Sequence, residues 1–386
     1  MDRQFDIIVF GATGYTGRLV AEHLLKVYGA AGDLTWAMAG RNLAKLEEVR
    51  AEIGAPTTLP LVVADSDDIA SLTAMVRQTR AIITTAGPYQ LYGSNLVAAC
   101  ATEGTDYVDL TGESNWIHDM LVHEPAAKAS GARIVFSCGF DSIPFDVGVL
   151  FLQNTAKAKL GATVPRVRGR VRDMLGAASG GTVASGRATM AAIQKNPAVM
   201  GVMMNPFALT PGFEGPTQPD GNTPYEDTVT GSWVGPFMMA GINTKAVHRA
   251  NFLLGHPWGT DLQYDEMTML SGPPTQGGGG PTFEMGGANA PKPGEGPTKA
   301  ERDAGYYDIL FVGEAADGAT VRVSVKGDMD PGYGSTSRIL GESAVCLIRD
   351  VARDQTPGGM WTAAAAMGEA LIKRLEANAG VTFQVE

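Results

Sequence analysis

Phe5-Asp6-Ile7-Ile8-Val9-Phe10-Gly11-Ala12-Thr13-Gly14-Tyr15-Thr16-Gly17 reads, in order, as a buried strand, a glycine turn and the start of a helix. Ile7 to Phe10 form a short apolar run with β-branched residues, which suits a strand covered on both faces of a parallel sheet. Gly11, Gly14 and Gly17 follow at three-residue spacing, and Leu19, Val20, His23 and Leu24 then have helical periodicity. Such a turn lets the backbone approach a pyrophosphate, while the helix offers unpaired N–H groups and the positive end of its dipole. The spacing Gly-x-x-Gly-x-x-Gly is a variant of the dinucleotide fingerprint. A glycine turn alone also marks an ordinary bend, but here the flanking strand and helix are both legible. Gly11, Thr13, Gly14, Tyr15, Thr16 and Gly17 are therefore predicted to hold a dinucleotide.

The pattern repeats downstream. Leu34 to Ala39 predict a second strand, Leu61 to Asp65 a third, Ala81 to Tyr89 a fourth with its sharp turn at Gly87-Pro88, Tyr107 to Glu113 a fifth with its loop and Arg133 to Pro144 a sixth with its exit, with helical stretches between. Strands alternating with helices predict a doubly wound parallel sheet with right-handed crossovers. At the end of the second strand of such a sheet, an acidic residue accepts bonds from a ribose 2′-hydroxyl, whereas an arginine accommodates a 2′-phosphate. This chain has Arg41, with Asn42 beside it and Lys45 one turn on, which predicts NADP(H) over NAD(H). A solvated arginine at a helix start is the bland alternative. Asp65 is expected to face the adenine. Thr85, Gly87, Pro88 and Tyr89 are expected to border the nicotinamide, because the fourth strand lies across the switch point from the first.

Bulk properties exclude several classes. With 386 residues, the chain has room for two domains or one large discontinuous one. A net charge of −11 argues against a nucleic-acid or anionic-membrane surface, so any phosphate must be held by local groups. Three dispersed cysteines fit a reducing compartment and leave no metal-ligand spacing, so no metal is expected. No leader is evident, and no run reaches the roughly 18 apolar residues of a membrane span. A cytoplasmic protein is the expectation.

From about Phe145 the character changes. Phe145 to Leu152 look helical; beyond them Arg166, Arg168, Arg170 and Arg172 alternate with Val167, Gly169 and Val171, as in a strand with one basic face. Tyr307 to Val312 and Ala319 to Val325 predict a hairpin across Asp317-Gly318. Ser179-Gly180-Gly181-Thr182 precedes a helix expected from about Val183 to Gln194. The free N–H groups of Gly180 and Gly181 either hold a substrate oxygen or belong to an ordinary cap by Ser179 or Thr182. The expected division is a nucleotide-binding domain over 1–145, completed by helices within 339–386, and an α+β domain on a mixed or antiparallel sheet over 146–338. A Gly/Pro-rich loop at 271–297 includes Gly277 to Gly280.

Taken in order, Gly11 to Gly17, Ala39-Gly40-Arg41, Gly87-Pro88-Tyr89, Tyr107 to Glu113 and Gly139 to Pro144 resemble the saccharopine dehydrogenase-like oxidoreductase family, with the trans-acting enoyl reductases as the nearest match. The resemblance extends through Ser179-Gly180-Gly181, Pro293 to Pro297, Gly305-Tyr306-Tyr307 and Ala363 to Gly368, nearly the whole chain. It implies a Rossmann domain, a second domain completing the cleft, NADP-linked reduction and a homodimer. Some relatives carry an apolar segment between about Ser271 and Pro293, where this chain has its polyglycine run.

For an enoyl thioester or enone, hydride goes to the β-carbon and the enolate oxygen needs donors. Tyr89 is the first candidate for catalytic donor or acid, the alternative being a packed ring. Asp109, Glu113, Asp141 and Ser142 are expected to line the substrate site or to cap helices. Three functions stay open: an NADPH-dependent reductase of a carbon–carbon double bond in an acyl or polyketide-type substrate; a saccharopine-like imine oxidoreductase whose diacid would be clamped by Arg166 to Arg172 or Arg187; and a non-catalytic NADP-binding scaffold.

Overall fold

The computed structural model describes residues 3–177, 179–280, 282–284 (backbone only), 291–292 and 294–386. The part of the predicted 271–297 loop at 281, 285–290 and 293 lies outside the described residues, Pro293 included.

The first sheet is parallel and seven-stranded. Its strands are β1 (Phe5–Phe10), β2 (Trp36–Gly40), β3 (Leu61–Val63), β4 (Thr79–Thr84), β5 (Asp106–Val108), β6 (Arg133–Val135) and β14 (Gly359–Trp361), in the order β14-β6-β5-β4-β1-β2-β3. The order reverses between β1 and β4, which creates the crevice where such sheets bind ligands. Ile7, Ile8 and Val9 have no exposed surface, as a strand covered on both faces requires. Helices Tyr15–Tyr28 and Thr336–Arg349 pack together on one face, the second of them also against β4 and β5. The residues that build this half from afar thus include a C-terminal helix and strand β14.

The second sheet is mixed. It comprises β7 (Arg166–Ala177), β8 (Tyr225–Asp227), β9 (Ser232–Pro236), β10 (Gln263–Leu270), β12 (Tyr306–Glu314), β13 (Thr320–Gly327) and β15 (Val381–Val385), ordered β15-β13-β12-β7-β10-β9-β8, with β11 (Thr282–Glu284) beside the end of β7. β7 runs parallel to β10 and antiparallel to β12. The β12–β13 hairpin turns at Asp317-Gly318, where Gly318 has φ +87°. Helix Ile143–Leu160, longer than the stretch expected from sequence, bridges the sheets. A Cβ at its Gly148 would lie 2.6 Å from the Phe311 ring, so glycine allows the helix to sit against β12. The segment 339–386 is shared: β14 joins the first sheet and β15 the second.

The basic face of β7 is not a free clamp. Arg170, fully buried, pairs with Asp227 and Asp265 at 2.9 Å each, and Arg166 also binds Asp265. Arg168 pairs with Glu314 at 2.7 Å; Arg172 pairs with Asp308 at 2.7 Å and Glu386 at 2.6 Å. The expected carboxylate clamp is corrected to an internal ion-pair lattice, because strand alternation shows a charged face but not what crosses it.

Among the described residues, no helix is long and apolar enough to cross a membrane, and no cluster of three or more metal-ligating side chains occurs.

Candidate functional site

The glycine turn lies at the carboxyl end of β1, at the point where strand order reverses. Gly11 has φ +85°, and a Cβ there would approach Thr85 Oγ1 to 2.9 Å. A Cβ on Gly17 would run into the Gly11 carbonyl and lie 2.7 Å from Thr85 Oγ1. These two glycines let the helix approach β1 and β4. Gly14 differs: an added Cβ would meet only the Gly11 carbonyl, at 3.3 Å, so its outer side is open. Gly14 is the N-cap and supplies no side-chain cap bond. The N–H groups of Tyr15, Thr16 and Gly17 therefore lack intrahelical acceptors. This open cradle with free donors fits a dinucleotide pyrophosphate. Thr13 leans over the end of β2, with its Oγ1 3.7 Å from where a Gly40 Cβ would stand.

Arg41 and Lys45 are exposed beside that strand end, and neither forms an ion pair among the described residues. Asn42 serves as the helix cap, its Oδ1 accepting the Lys45 N–H at 3.1 Å. Asp65 shapes its own turn by accepting the Asp67 N–H at 3.1 Å. Across the switch point, Thr85 donates to the Gly11 carbonyl at 3.2 Å, and Gly87 is exposed while Pro88 is buried.

The surroundings of Tyr89 favour the packed ring over the catalytic donor. The ring is buried against Trp116, with centroids 5.5 Å apart. Its hydroxyl donates to the Thr84 carbonyl at 2.9 Å and accepts the Leu110 N–H at 3.3 Å. Burial raises its pKa well above the usual phenol value. Both polar functions of the hydroxyl are engaged in tying β4 to β5.

Glu113 and Asp109 brace the same edge. Glu113 accepts the N–H groups of Tyr89 and Gln90 at 3.1 and 2.7 Å, and burial raises its pKa. Asp109 accepts from Tyr107 Oη, Thr111 N and Ser137 N, and burial pushes its pKa up to about 7. Ser142 is buried and donates to Asn243 Oδ1 at 2.9 Å. Asp141 stands apart. It is partly exposed, makes no hydrogen bond among the described residues, and burial alone raises its pKa to about 6.

The N–H groups of Gly180 and Gly181 are already occupied. Gly180 donates to the Glu295 carbonyl and Gly181 to Ser179 Oγ, each at 3.2 Å, so the substrate-oxygen reading gives way to a cap. Their helix, Gly180–Lys195, starts three residues before the sequence expectation.

Two residues that sequence reasoning missed stand beside Tyr15. The Tyr333 hydroxyl accepts the Ser179 N–H and bonds Thr182 Oγ1 at 2.6 Å, while its ring stands edge-on to Tyr15 at 5.2 Å. Nearby Asp141 helps keep the Tyr333 phenol protonated, its pKa raised, mainly by burial, to about 12. Arg302 Nη1 donates to the Tyr15 hydroxyl and the Pro297 carbonyl at 2.8 Å each. The run Pro331-Gly332-Tyr333-Gly334 carried the one local hint, an aromatic set between glycines; Arg302 carried none.

Comparison with known proteins gives the same picture. Residues 7–135 match the saccharopine dehydrogenase NADP binding domain. A Mycobacterium tuberculosis protein provisionally named as a trans-acting enoyl reductase is 37% identical over 413 residues, covering 99% of this chain and 97% of its own. The trans-acting enoyl reductase of Mycobacterium leprae is 34% identical, with the same coverage. In fold, the chain is similar to apo saccharopine dehydrogenase (L-Glu forming) from Saccharomyces cerevisiae, with TM-score 0.55, 12% identity and 99% of both chains covered. With its glycine cradle, its family domain and relatives matched from end to end, this chain belongs to the saccharopine dehydrogenase-like oxidoreductase family alongside the trans-acting enoyl reductases, and it is an NADP-dependent oxidoreductase.

Proposed function

We propose that the protein is an NADPH-dependent reductase of an activated carbon–carbon double bond, in an acyl thioester or enone of polyketide type. The observation that carries this reading is the end-to-end likeness to proteins named as trans-acting enoyl reductases. The site supports it in two respects. Of the two clamps open to an amino-diacid imine, the β7 arginines are paired internally, which weighs against the saccharopine-like reaction, while Arg187 is exposed on the helix Gly180–Lys195. Asp141, a carboxyl without a hydrogen-bond partner among the described residues and with its pKa raised by burial to about 6, is suited to supply a proton at the cleft edge.

The bound cofactor would supply the hydride. Gly11 to Gly17 would hold its pyrophosphate, and Arg41 with Lys45 its 2′-phosphate. The Thr85–Pro88 turn would border the nicotinamide, with Tyr89, Asp109 and Glu113 fixing that edge from behind. Asp141 would protonate the α-carbon after hydride reaches the β-carbon, held beside Tyr333 by the bond from Phe140 N–H to Thr336 Oγ1 at 3.0 Å. A homodimer and a cytoplasmic location belong to the same reading.

The test mixes the protein with NADPH carrying deuterium at the transferred position and a medium-chain trans-2-enoyl-CoA. Label in the saturated product, at the β-carbon, is the expected result. Turnover only with an α-keto acid plus an amine would replace this reading with the imine reaction.

A further inference from the structure

We propose that Arg302, carried by the short helix Lys299–Ala304 that packs on the second sheet, is a ligand for the cofactor's pyrophosphate. The proposal rests on NADP(H) occupying the glycine turn and adds a residue 287 positions from Tyr15.

The position comes first. Tyr15 is the first residue of the helix whose N–H groups are free, and Arg302 reaches its hydroxyl from the opposite layer of the molecule. The guanidinium lies 5.8 Å from the Tyr15 ring centroid, at the hydroxyl end of the side chain carried by the first residue of that helix. Gly296 secures this approach: a Cβ there would stand 2.6 Å from the Tyr15 ring.

The charge comes next. Arg18 flanks the same ring at 5.7 Å, but it is paired with Glu52 at 2.6 Å. Among the described residues, the Arg302 guanidinium is held by neutral oxygens, those of Tyr15 and Pro297, through a single nitrogen. Asp330 and Asp303 both feel its charge, but the Asp330 oxygens accept the N–H groups of Tyr333 and Gly334 at 3.2 and 2.5 Å, and Asp303 pairs with Lys299. Among the described residues, three of the five guanidinium N–H donors, those of Nε and Nη2, have no partner, and the fork geometry matches phosphate oxygens. A cation that is partly buried acts through a lower dielectric than one in water.

The need is independent of both. A chain with net charge −11 offers no general attraction for a dinucleotide carrying two linked phosphates, so the cradle requires a local cation. Arg41 and Lys45 sit at the other end of the cofactor, beside its 2′-phosphate.

The experiment measures binding by calorimetry of NADPH and NADH, and of adenosine 2′-monophosphate by competition, to the wild type, Arg302→Ala and Arg302→Lys. Arg302→Ala is expected to weaken NADPH and NADH by a similar factor, about ten- to hundredfold for the loss of a charge-assisted contact. Adenosine 2′-monophosphate, which lacks the pyrophosphate, should bind Arg302→Ala within about twofold of the wild type. Arg302→Lys keeps the charge without the fork and should fall between; it also serves if the alanine variant does not fold. NADPH binding unchanged in Arg302→Ala would overturn the proposal. So would a loss of adenosine 2′-monophosphate as large as that of NADPH, since this would report a disturbed fold. A wild type that binds neither NADPH nor NADH would instead remove the cofactor assignment on which the proposal stands.

Discussion

At the residue scale, hydrogen-bond partners separate groups free to act from groups already engaged. Tyr89 and Asp141 both lie at the carboxyl ends of strands, and composition alone favours the tyrosine as a neutral donor. The tyrosine hydroxyl, however, is tied to Thr84 and Leu110, whereas Asp141 has no partner. Tyr89→Phe should therefore keep turnover within a few fold and cost about 1 kcal/mol of stability, measured by denaturant unfolding. Asp141→Asn should lower kcat at least a hundredfold. A carboxyl acting as an acid must be protonated, so wild-type kcat/KM should fall as pH rises above about 6, and that limb should vanish in the variant. Arg41 carries the sharpest single-residue prediction. Arg41→Asp should shift preference from NADPH towards NADH by removing a contact worth ~1.5–3 kcal/mol. An unchanged ratio of dissociation constants would refute the reading of the β2 end.

At the element scale, the strand–turn–helix unit was legible because its requirements are local. Gly11 must adopt φ +85°, Gly17 must let the helix touch the turn, and Gly14 must leave its outer side open. Each requirement reads directly as a glycine at fixed spacing. Gly17→Ala should cost 1–3 kcal/mol, about the usual penalty of overpacking, and NADPH binding should weaken with it. Cofactor affinity equal to wild type in that variant would mean that the turn is not the seat. The Gly180 helix shows the opposite case. Its glycines looked free in sequence, but their donors are taken by Glu295 and Ser179, one of them 115 residues away. A motif describes which donors exist, whereas only folding determines which of them find acceptors.

Across the whole molecule, several buried carboxyls titrate together. Asp109 and Asp146 are raised to about 7 and Glu266 to about 8, each chiefly by burial. A carboxyl with a raised folded-state pKa binds its proton more tightly when native, so its stabilisation is lost as pH climbs from the unfolded to the folded value. His248, lowered by burial to about 3 from 6.5, works in the opposite sense, but only below about pH 6.5. Between about pH 6.5 and 8 the thermal midpoint should therefore decline. Glu266→Gln should flatten that decline in a differential scanning experiment, because it cannot ionise, while its one carbonyl oxygen can still accept from Asn243 or Tyr264.

Six strands of the first sheet, its glycine turn and the β12–β13 hairpin were determined by the sequence itself, since strand periodicity, glycine spacing and turn residues act within a few positions, whereas the seventh strand, β14, was placed there only by the fold. Tertiary structure alone decided that Arg170 and its neighbours on β7 are neutralised, that the Tyr89 hydroxyl is bonded to Thr84 and Leu110, and that Tyr333 and Arg302 stand beside Tyr15. The physical reason is the range of the interactions. A backbone conformation is fixed by its own residues and their immediate neighbours. A charge or a hydroxyl takes its role from whatever polar group the fold brings within about 3 Å of it, and that partner is distant in sequence.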